Sequence, residues 1–366
     1  MNVLVTGSEG FVGKNLISVL IAQNQTVTTF NTSNTIDELV KLTRDCDAVV
    51  HLAGVNRPKD ISEFYKGNTD LTRSLCEALE KNANKCPIIL SSSIQAEKDN
   101  DYGKSKKMAE DALVAFGKKS GNPIYIFRFK NLYGKWSRPN YNSVVATWCY
   151  NVARDLDITV DSPEATIELC YIDDVVEAII SKLPGSEKSG FYEVKKTDKT
   201  SLKDLLATIQ SFKASRESKL YPDQSTYLHR NLYATYLNYL PTNAFSYPLD
   251  SHQDQRGSFT EILRSETNGQ ISVNVSKPGI TKGQHWHSTK SEKFLVVSGS
   301  GVIQLRDFFS TEIIEYPVSG EKLEVVDIPT GYVHNLINKG DSDMVTLIWA
   351  NELFTPEKPD TNYQEV

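Results

Sequence analysis

Apolar and polar positions along this 366-residue chain follow two different rhythms. From residue 1 to about 185, short β-branched apolar runs alternate with longer amphipathic stretches. Residues 2–6, 26–30, 47–52, 87–91 and 123–129 read as strands, with helices over 15–24 and 68–81. Strands apolar on both faces and joined through helices predict a parallel sheet covered on both sides. From about Phe245 the helical period stops. ISVNVS, KFLVVS, GVIQLRD, EIIEYPV, LEVVDIP and MVTLIWA are short runs separated by turn residues, predicting an antiparallel barrel or sandwich. Residues 213–243 are rich in Tyr, Leu and Asn and lack the Gly, Ser or Pro bias of a flexible linker. They are expected to be packed helix bridging an α/β domain, residues 1–243, and an all-β domain, residues 244–366.

Composition narrows the possibilities without choosing a chemistry. A formal net charge of -6 argues against electrostatic binding of nucleic acid. No run of about 18 apolar residues offers a membrane span. The N-terminal MNVLVTGSEGFVG lacks the parts of a secretory signal, so a cytoplasmic protein is expected. Five scattered cysteines without a CxxC pair fit reduced, packed thiols. Of only six histidines, His285, His287 and His334 fall in the last quarter.

The first strand runs into Gly7-Ser8-Glu9-Gly10-Phe11-Val12-Gly13 at a helix start. Glycines there permit a tight turn and close approach of a pyrophosphate to free N–H groups at the helix N-terminus. The second strand ends in Phe30-Asn31-Thr32-Ser33, without the acid that usually binds a ribose 2′-hydroxyl. A neutral Asn31 tolerates a 2′-phosphate, which favours NADP over NAD. Further on, Ser91-Ser92-Ser93 ends a strand and Tyr102-Gly103-Lys104-Ser105-Lys106 opens a helix. Tyr102 and Lys106, at i and i+4, share a helix face. A phenol near pH 10 is a poor proton donor at neutrality, and a neighbouring ammonium is expected to lower it into use.

With His51-Leu52-Ala53-Gly54, Asn68, Arg128-x-x-Asn131-Leu132-Tyr133-Gly134 and Tyr171-Ile172-Asp173-Asp174-Val175, these motifs span the first 180 or so residues. This half resembles the extended short-chain dehydrogenase/reductases, in their nucleotide-sugar branch. The resemblance implies a Rossmann-like domain in which Ser93 holds the substrate carbonyl and Tyr102 donates the proton. Lys106 would also hold the nicotinamide ribose. Gly7, Gly10, Phe11, Val12, Gly13, Asn31, Leu52, Ala53, Gly54 and Asn68 would line the dinucleotide, and Asn131 the sugar pocket. Lys130 stands where apolar residues are more usual.

The last third carries a second constellation. His285 and His287 at i, i+2 project from one face of a strand, Glu292 follows, and Pro329-x-Gly331-x-x-His334-x-x-x-Asn338 comes some 40 residues later. Three imidazoles and a carboxylate suit Zn, Ni, Fe or Mn. The two segments resemble the paired cupin motifs, implying a jelly-roll domain. Leu323 replaces the glycine usually found before the second. Upstream, Asp254-Gln255-Arg256-Gly257-Ser258-Phe259-Thr260-Glu261 resembles a signature of nucleotide-sugar 3,5-epimerases, which implies that Arg256 contacts sugar or phosphate. A metal beside a ketone acidifies the adjacent C–H, so a modest base can invert that carbon. Lys290, Lys293 and Tyr332 lie near the ligands in sequence, but none is singled out as the base.

Together the halves resemble the bifunctional UDP-sugar epimerase/reductases of capsular polysaccharide synthesis. That implies a UDP-2-acetamido-2,6-dideoxy-4-hexulose epimerised at C3 in a zinc cupin and reduced at C4 by NADPH. The product would be UDP-2-acetamido-2,6-dideoxy-L-talose, en route to UDP-N-acetyl-L-fucosamine. It also implies a homodimer formed through the cupin. Two rival readings are a reductase with a purely structural cupin, and a sensor of NADP and sugar without turnover.

Overall fold

Strand pairing is parallel in the first half of the chain. β1 (Asn2–Thr6), β2 (Thr26–Phe30), β3 (Ala48–His51), β4 (Ile88–Ser93), β5 (Ile124–Phe129) and a later strand, residues 190–192, form one sheet. A small second sheet holds β6 (Asn131–Tyr133) and β7 (Thr166–Tyr171); the later strand is β8 (Gly190–Tyr192), and β9 (Asp198–Ser201) completes the small sheet. The large sheet has the order β2-β1-β3-β4-β5-β8, every pair parallel, which is the predicted Rossmann-like arrangement. The two-residue period sorts side chains between its faces. Val3, Val5, Val50 and Ile89 pack in one core with Leu16 and Ile179, whereas Leu4, Val49, Ile88 and Leu90 pack in the other with Leu75 and Leu113.

The covering helices are α1 (Phe11–Ala22), α2 (Ile36–Leu42), the short α3 (Ser62–Phe64), α4 (Leu71–Lys81), α5 (Asp101–Ser120), α6 (Val144–Val152) and α7 (Ile172–Ile180). α8 (Leu202–Ser218) and α9 (Tyr227–Asn238) follow. α1 begins four residues before the expected position because Gly10 is its N-cap. α2 was hidden by its shortness. Its signal is a capping box in which the Thr35 side chain accepts from Glu38 N and Glu38 accepts from Thr35 N.

In the structure, a computed structural model describing residues 1–355 and 359–366, the chain divides into two units: 1–210 with 223–242, and 211–222 with 243–366. The single bridging helix expected over 213–243 is instead two helices. Lys219 has φ +58° and Pro222 follows, so α8 stops. Residues 219–221 pair with Arg264: Arg264 N donates to Lys219 O at 2.8 Å and Tyr221 N to Arg264 O at 2.6 Å. α9 restarts at the Thr226 cap.

The second unit is all-β. Its strands are β10 (Ser251–Asp254), β11 (Gly257–Ser265), β12 (Gly269–Ser276), β13 (Thr281–Trp286), β14 (Glu292–Ser298) and β15 (Ser300–Asp307). β16 (Ile313–Ser319), β17 (Val325–Ile328), β18 (Tyr332–Asn338), β19 (Met344–Ala350) and β20 (Asn362–Tyr363) complete it. They form two antiparallel sheets, β10-β11-β12-β19-β14-β17 and β16-β15-β18-β13-β20. Phe294, Val296, Ile303, Leu305, Ile328, Leu336 and Met344 make the core from strands of both sheets. Among the described residues no helix is long and apolar enough to cross a membrane.

Candidate functional site

Two sets of chemistry-bearing residues are assembled, one in each unit. In the first, the glycine turn is dictated by close approach. Gly7 has φ +68°, and a Cβ there would lie 2.7 Å from Ala53 N. A Cβ on Gly13 would lie 2.5 Å from Gly7 O. Glycine at both positions lets β1 turn into α1 against residues 52–53. The first N–H groups of α1, including those of Phe11 and Val12, have no acceptor within the helix, so an anion there is stabilised. Ser8 Oγ donates to Asn31 Oδ1 at 2.6 Å, which brings Asn31 to the turn.

The adjoining loop, residues 52–55, is held by a buried relay. Ala53 N donates to Thr6 Oγ1, which lies 2.7 Å from His51 Nδ1; His51 Nε2 lies 2.9 Å from Thr72 Oγ1, and Thr72 donates to Asn68 O. The end donors fix the order: Thr72 must accept from Nε2–H, and Nδ1 accepts from Thr6. Burial, then the nearby Lys106 ammonium, lowers His51 to about 3, so it is the neutral form this relay requires. Asn68 is buried and clamps the loop, accepting from Val55 N at 3.0 Å and donating to Val55 O and Ser105 Oγ. The structure thus places Leu52, Ala53 and Gly54 along the cradle and gives Asn68 a supporting position behind it.

Ser93, Tyr102 and Lys106 come together at the carboxyl end of β4. A Cβ on Gly103 would lie 2.3 Å from Gln95 O and 2.5 Å from Lys98 O, so only glycine lets α5 start this close to the turn after β4. Asn100 caps α5 by accepting from Gly103 N at 2.8 Å. Tyr102 consequently stands close enough to Ser93 for the serine hydroxyl to influence its ionisation. One expectation is corrected here. Tyr102 lies above its ordinary pKa, because burial outweighs the lowering influence of the nearby Ser93 hydroxyl. Lys106 does not lower it; its Nζ donates to Ser91 O at 2.6 Å. Burial brings Lys106 itself down to about 8.

Beneath this set lies an ion pair that sequence reasoning missed. Glu110 is fully buried; it accepts from Ser92 Oγ at 2.6 Å and from Arg128 Nε and Nη2 at 2.9 and 2.7 Å. Its signal was its place one turn beyond Lys106. Asn131 is exposed, donates to Glu168 O, and lines a cavity of about 510 Å³ with Arg57, Tyr141 and Asn142. Lys130 pairs with Glu168 at 2.8 Å.

In the second unit, a bulge between Gly283 and His285 shifts the β13 register so that His285 faces His334 across β18. Gly283 takes φ +97°, and a Cβ there would lie 2.9 Å from His334 O. One ligand atom each from His285, His287, Glu292 and His334 lies within 4.8 Å of the others. Glu292 Oε2 is 3.3 Å from His287 Nε2 and 3.2 Å from His334 Nε2. The opposite ring nitrogens explain this. His287 Nδ1 is bonded to Asp360 O and His334 Nδ1 to Tyr332 O, so each Nε2 presents a lone pair. Buried acceptors then face one another without a donor, and His287 Nε2, Glu292 Oε2 and His334 Nε2 have no hydrogen-bond partner. A divalent cation fits that set. Burial, reinforced by the other two imidazoles, lowers His285 to about 4 and keeps it neutral for ligation.

Asp360 is the residue here that sequence reasoning did not find. Its carboxylate accepts from Ser288, Thr289 and Lys290 N, closing the loop between His287 and Glu292. Asn338 ties the end of β18 to Ser276 O and Ser342 O at 2.8 Å each. A cavity of about 490 Å³ opens beside the cluster, lined by Arg256, Phe259, Asn274, Lys282, His285, Lys290 and Glu292. Arg256 reaches this cavity but donates Nε and Nη2 to Asp254 at 2.9 and 2.6 Å. Lys282 Nζ has three acceptors, Asn274 Oδ1, Val275 O and Ser258 O. Lys293 instead pairs with Asp327.

Comparisons with known proteins agree with both halves. Residues 3–194 match the NAD dependent epimerase/dehydratase family and residues 252–362 the Polysaccharide biosynthesis C-terminal domain. A UDP-2-acetamido-2,6-beta-L-arabino-hexul-4-ose reductase from Pseudomonas aeruginosa is 43% identical over 363 residues, 99% of this chain and 98% of that one. The crystal structure of the capsular polysaccharide assembling protein CapF from Staphylococcus aureus is 47% identical, covers 100% of both chains and superposes with TM-score 0.94. A UDP-N-acetylglucosamine 4-epimerase from Bacillus cereus, 21% identical with TM-score 0.55 over 68% of this chain and 98% of that one, shares the fold. With the glycine cradle, the Ser-Tyr-Lys set and the His-Glu cluster on one chain, the protein belongs to the CapF-type family of bifunctional UDP-sugar epimerase/reductases of capsular polysaccharide synthesis.

Proposed function

We propose that this chain converts a UDP-2-acetamido-2,6-dideoxy-4-hexulose into UDP-2-acetamido-2,6-dideoxy-L-talose, a precursor of UDP-N-acetyl-L-fucosamine. The all-β unit, read as a cupin, inverts C3, and the Rossmann unit reduces the C4 ketone. The observation that carries this is the pairing, on one chain, of a proton-donor set with a buried, donorless His-Glu cluster opening on a cavity. Such a pair suits two reactions that share a 4-keto intermediate.

NADPH supplies the hydride when bound, and a divalent ion, proposed to be Zn2+, polarises the ketone during epimerisation. The chain's own residues do the rest. Ser93 holds the carbonyl oxygen and Tyr102 gives it a proton as the alkoxide forms. Lys106, which donates to Ser91 O, would hold the nicotinamide ribose, and its ammonium would offset the burial that raises Tyr102. Gly7, Gly10 and Gly13 admit the pyrophosphate, with Asn31 leaving room for a 2′-phosphate. In the other unit, His285, His287, Glu292 and His334 hold the ion, and Arg256 exchanges Asp254 for substrate. The active species is a homodimer formed through the cupin.

The test is product analysis by mass spectrometry and NMR after incubation with the 4-keto UDP-sugar. NADPH should give the 6-deoxy-L-talose product, with NADH much poorer. A product unaltered at C3, or no consumption of either nucleotide, would overturn the proposal.

A further inference from the structure

The cavity beside Asn131 carries an unabsorbed feature. Arg57 and Arg138 approach one aromatic ring from different loops: their Cζ atoms lie 5.8 and 5.5 Å from the Tyr141 centroid. Arg57 follows the 52–55 loop beyond β3, and Arg138 lies in the loop after β6. Each precedes a proline, Pro58 or Pro139, which biases the arginine's backbone toward an extended conformation. Among the described residues neither guanidinium has a carboxylate partner, although Arg128, Arg256 and Arg264 each do. Both arginines are exposed, and two guanidinium groups held about one ring without an acid leave their donors open to an anion.

The position selects which anion. Ligands of open parallel sheets bind outside the carboxyl ends of the strands, and the Arg57 loop lies at such an end. Tyr141 is close enough to Tyr102 for the two phenols to influence each other's ionisation. With β3 and β4 parallel, the arginines lie at the same end of the sheet as the proton donor. In a nucleotide sugar, the anomeric carbon and its diphosphate lie across the sugar ring from C4.

We infer that Arg57 and Arg138 form the diphosphate clamp of the reductase site, with Tyr141 as the platform between them and the reacting sugar. This rests on the reading of the first unit as a UDP-sugar reductase. The clamp supplies local positive charge on a chain whose net charge is -6. Guanidinium forks match phosphate oxygens in pairs, so Lys at either position should be a partial substitute only.

The reverse reaction isolates this site, because the alcohol meets the reductase before the epimerase. NADP+ reduction by UDP-2-acetamido-2,6-dideoxy-L-talose is followed at several substrate concentrations for the full-length wild type, Arg57→Ala/Arg138→Ala and Arg57→Lys/Arg138→Lys. Losing charged hydrogen bonds of this kind should raise KM by about 10- to 100-fold in the alanine variant, with kcat within a few-fold. The lysine variant should fall between. NADPH affinity by fluorescence titration should not change. A KM within twofold of wild type overturns the clamp, as does a parallel loss of NADPH affinity, which would assign the arginines to the dinucleotide. If the wild type itself fails to turn over, the reductase reading fails. Calorimetry with UDP and uridine then decides the clamp alone: the alanine variant should lose the preference for UDP, and an undiminished preference overturns it.

Discussion

In the proposed reduction, proton transfer depends on where a single phenol stands. Tyr102 is half-buried beside Ser93, and that partial burial holds it above its ordinary value. Tyr102→Phe keeps the ring packing against Phe64, 5.6 Å away, and removes only the hydroxyl. Dinucleotide oxidation should fall about 10²- to 10⁴-fold with an unchanged circular dichroism spectrum. Lys106 has its own pH signature. Its folded value of about 8 lies below the ordinary 10.5, so between these pH values the unfolded chain binds more protons. Stability from this residue therefore rises as pH climbs from about 8 to about 10.5. Lys106→Met lacks that slope, and the difference in urea midpoint, wild type minus variant, should grow over the interval; a flat or falling difference would contradict the assignment. The spacing of Tyr102 and Lys106 made this set legible from sequence. Asp360 was not, because it acts 73 residues away from His287 through its own backbone carbonyl and through loop amides. Asp360→Ala should weaken metal retention about 10- to 100-fold in a chelator competition while leaving dinucleotide binding intact.

Elements place these residues through glycines and a bulge more than through periodicity. α5 can start where it does only because Gly103 touches the Gln95 and Lys98 carbonyls. Gly103→Ala should cost roughly 1–3 kcal/mol in urea unfolding and reduce turnover by displacing Tyr102. Five of the six strands of the parallel sheet were legible because two covered faces leave continuous apolar runs; β8, three residues long and only half-buried, has no such run. β11 and β18 were not among the strands read, since their half-buried or polar inward positions, such as His334 and Asn335, break the apolar pattern. The break between α8 and α9 escaped detection for a related reason. It depends on pairing with Arg264, a distant backbone contact without a composition signal. The His285 bulge is equally local: the histidine spacing was visible in sequence, and the register shift that aims His285 was not.

At the scale of the whole molecule, the proposal assigns one reaction to each of the two units, and each should be removable without the other. The change of rhythm near residue 244 made two architectures legible, and the clustering of three histidines marked the second as chemical. The details that complete the sites, Glu110 under Lys106 and Asp360 under the metal loop, belong to the folded chain alone. The central claim is that C3 chemistry belongs to the His-Glu cluster and hydride chemistry to the Tyr102 set. The measurement is NMR of deuterium incorporation at C3 of the 4-keto UDP-sugar in deuterated water without NADPH, comparing wild type, Tyr102→Phe and Glu292→Gln. The account predicts exchange at C3 in wild type and Tyr102→Phe, and loss in Glu292→Gln although that variant still binds NADPH. Exchange that survives in Glu292→Gln, or disappears in Tyr102→Phe, would contradict it.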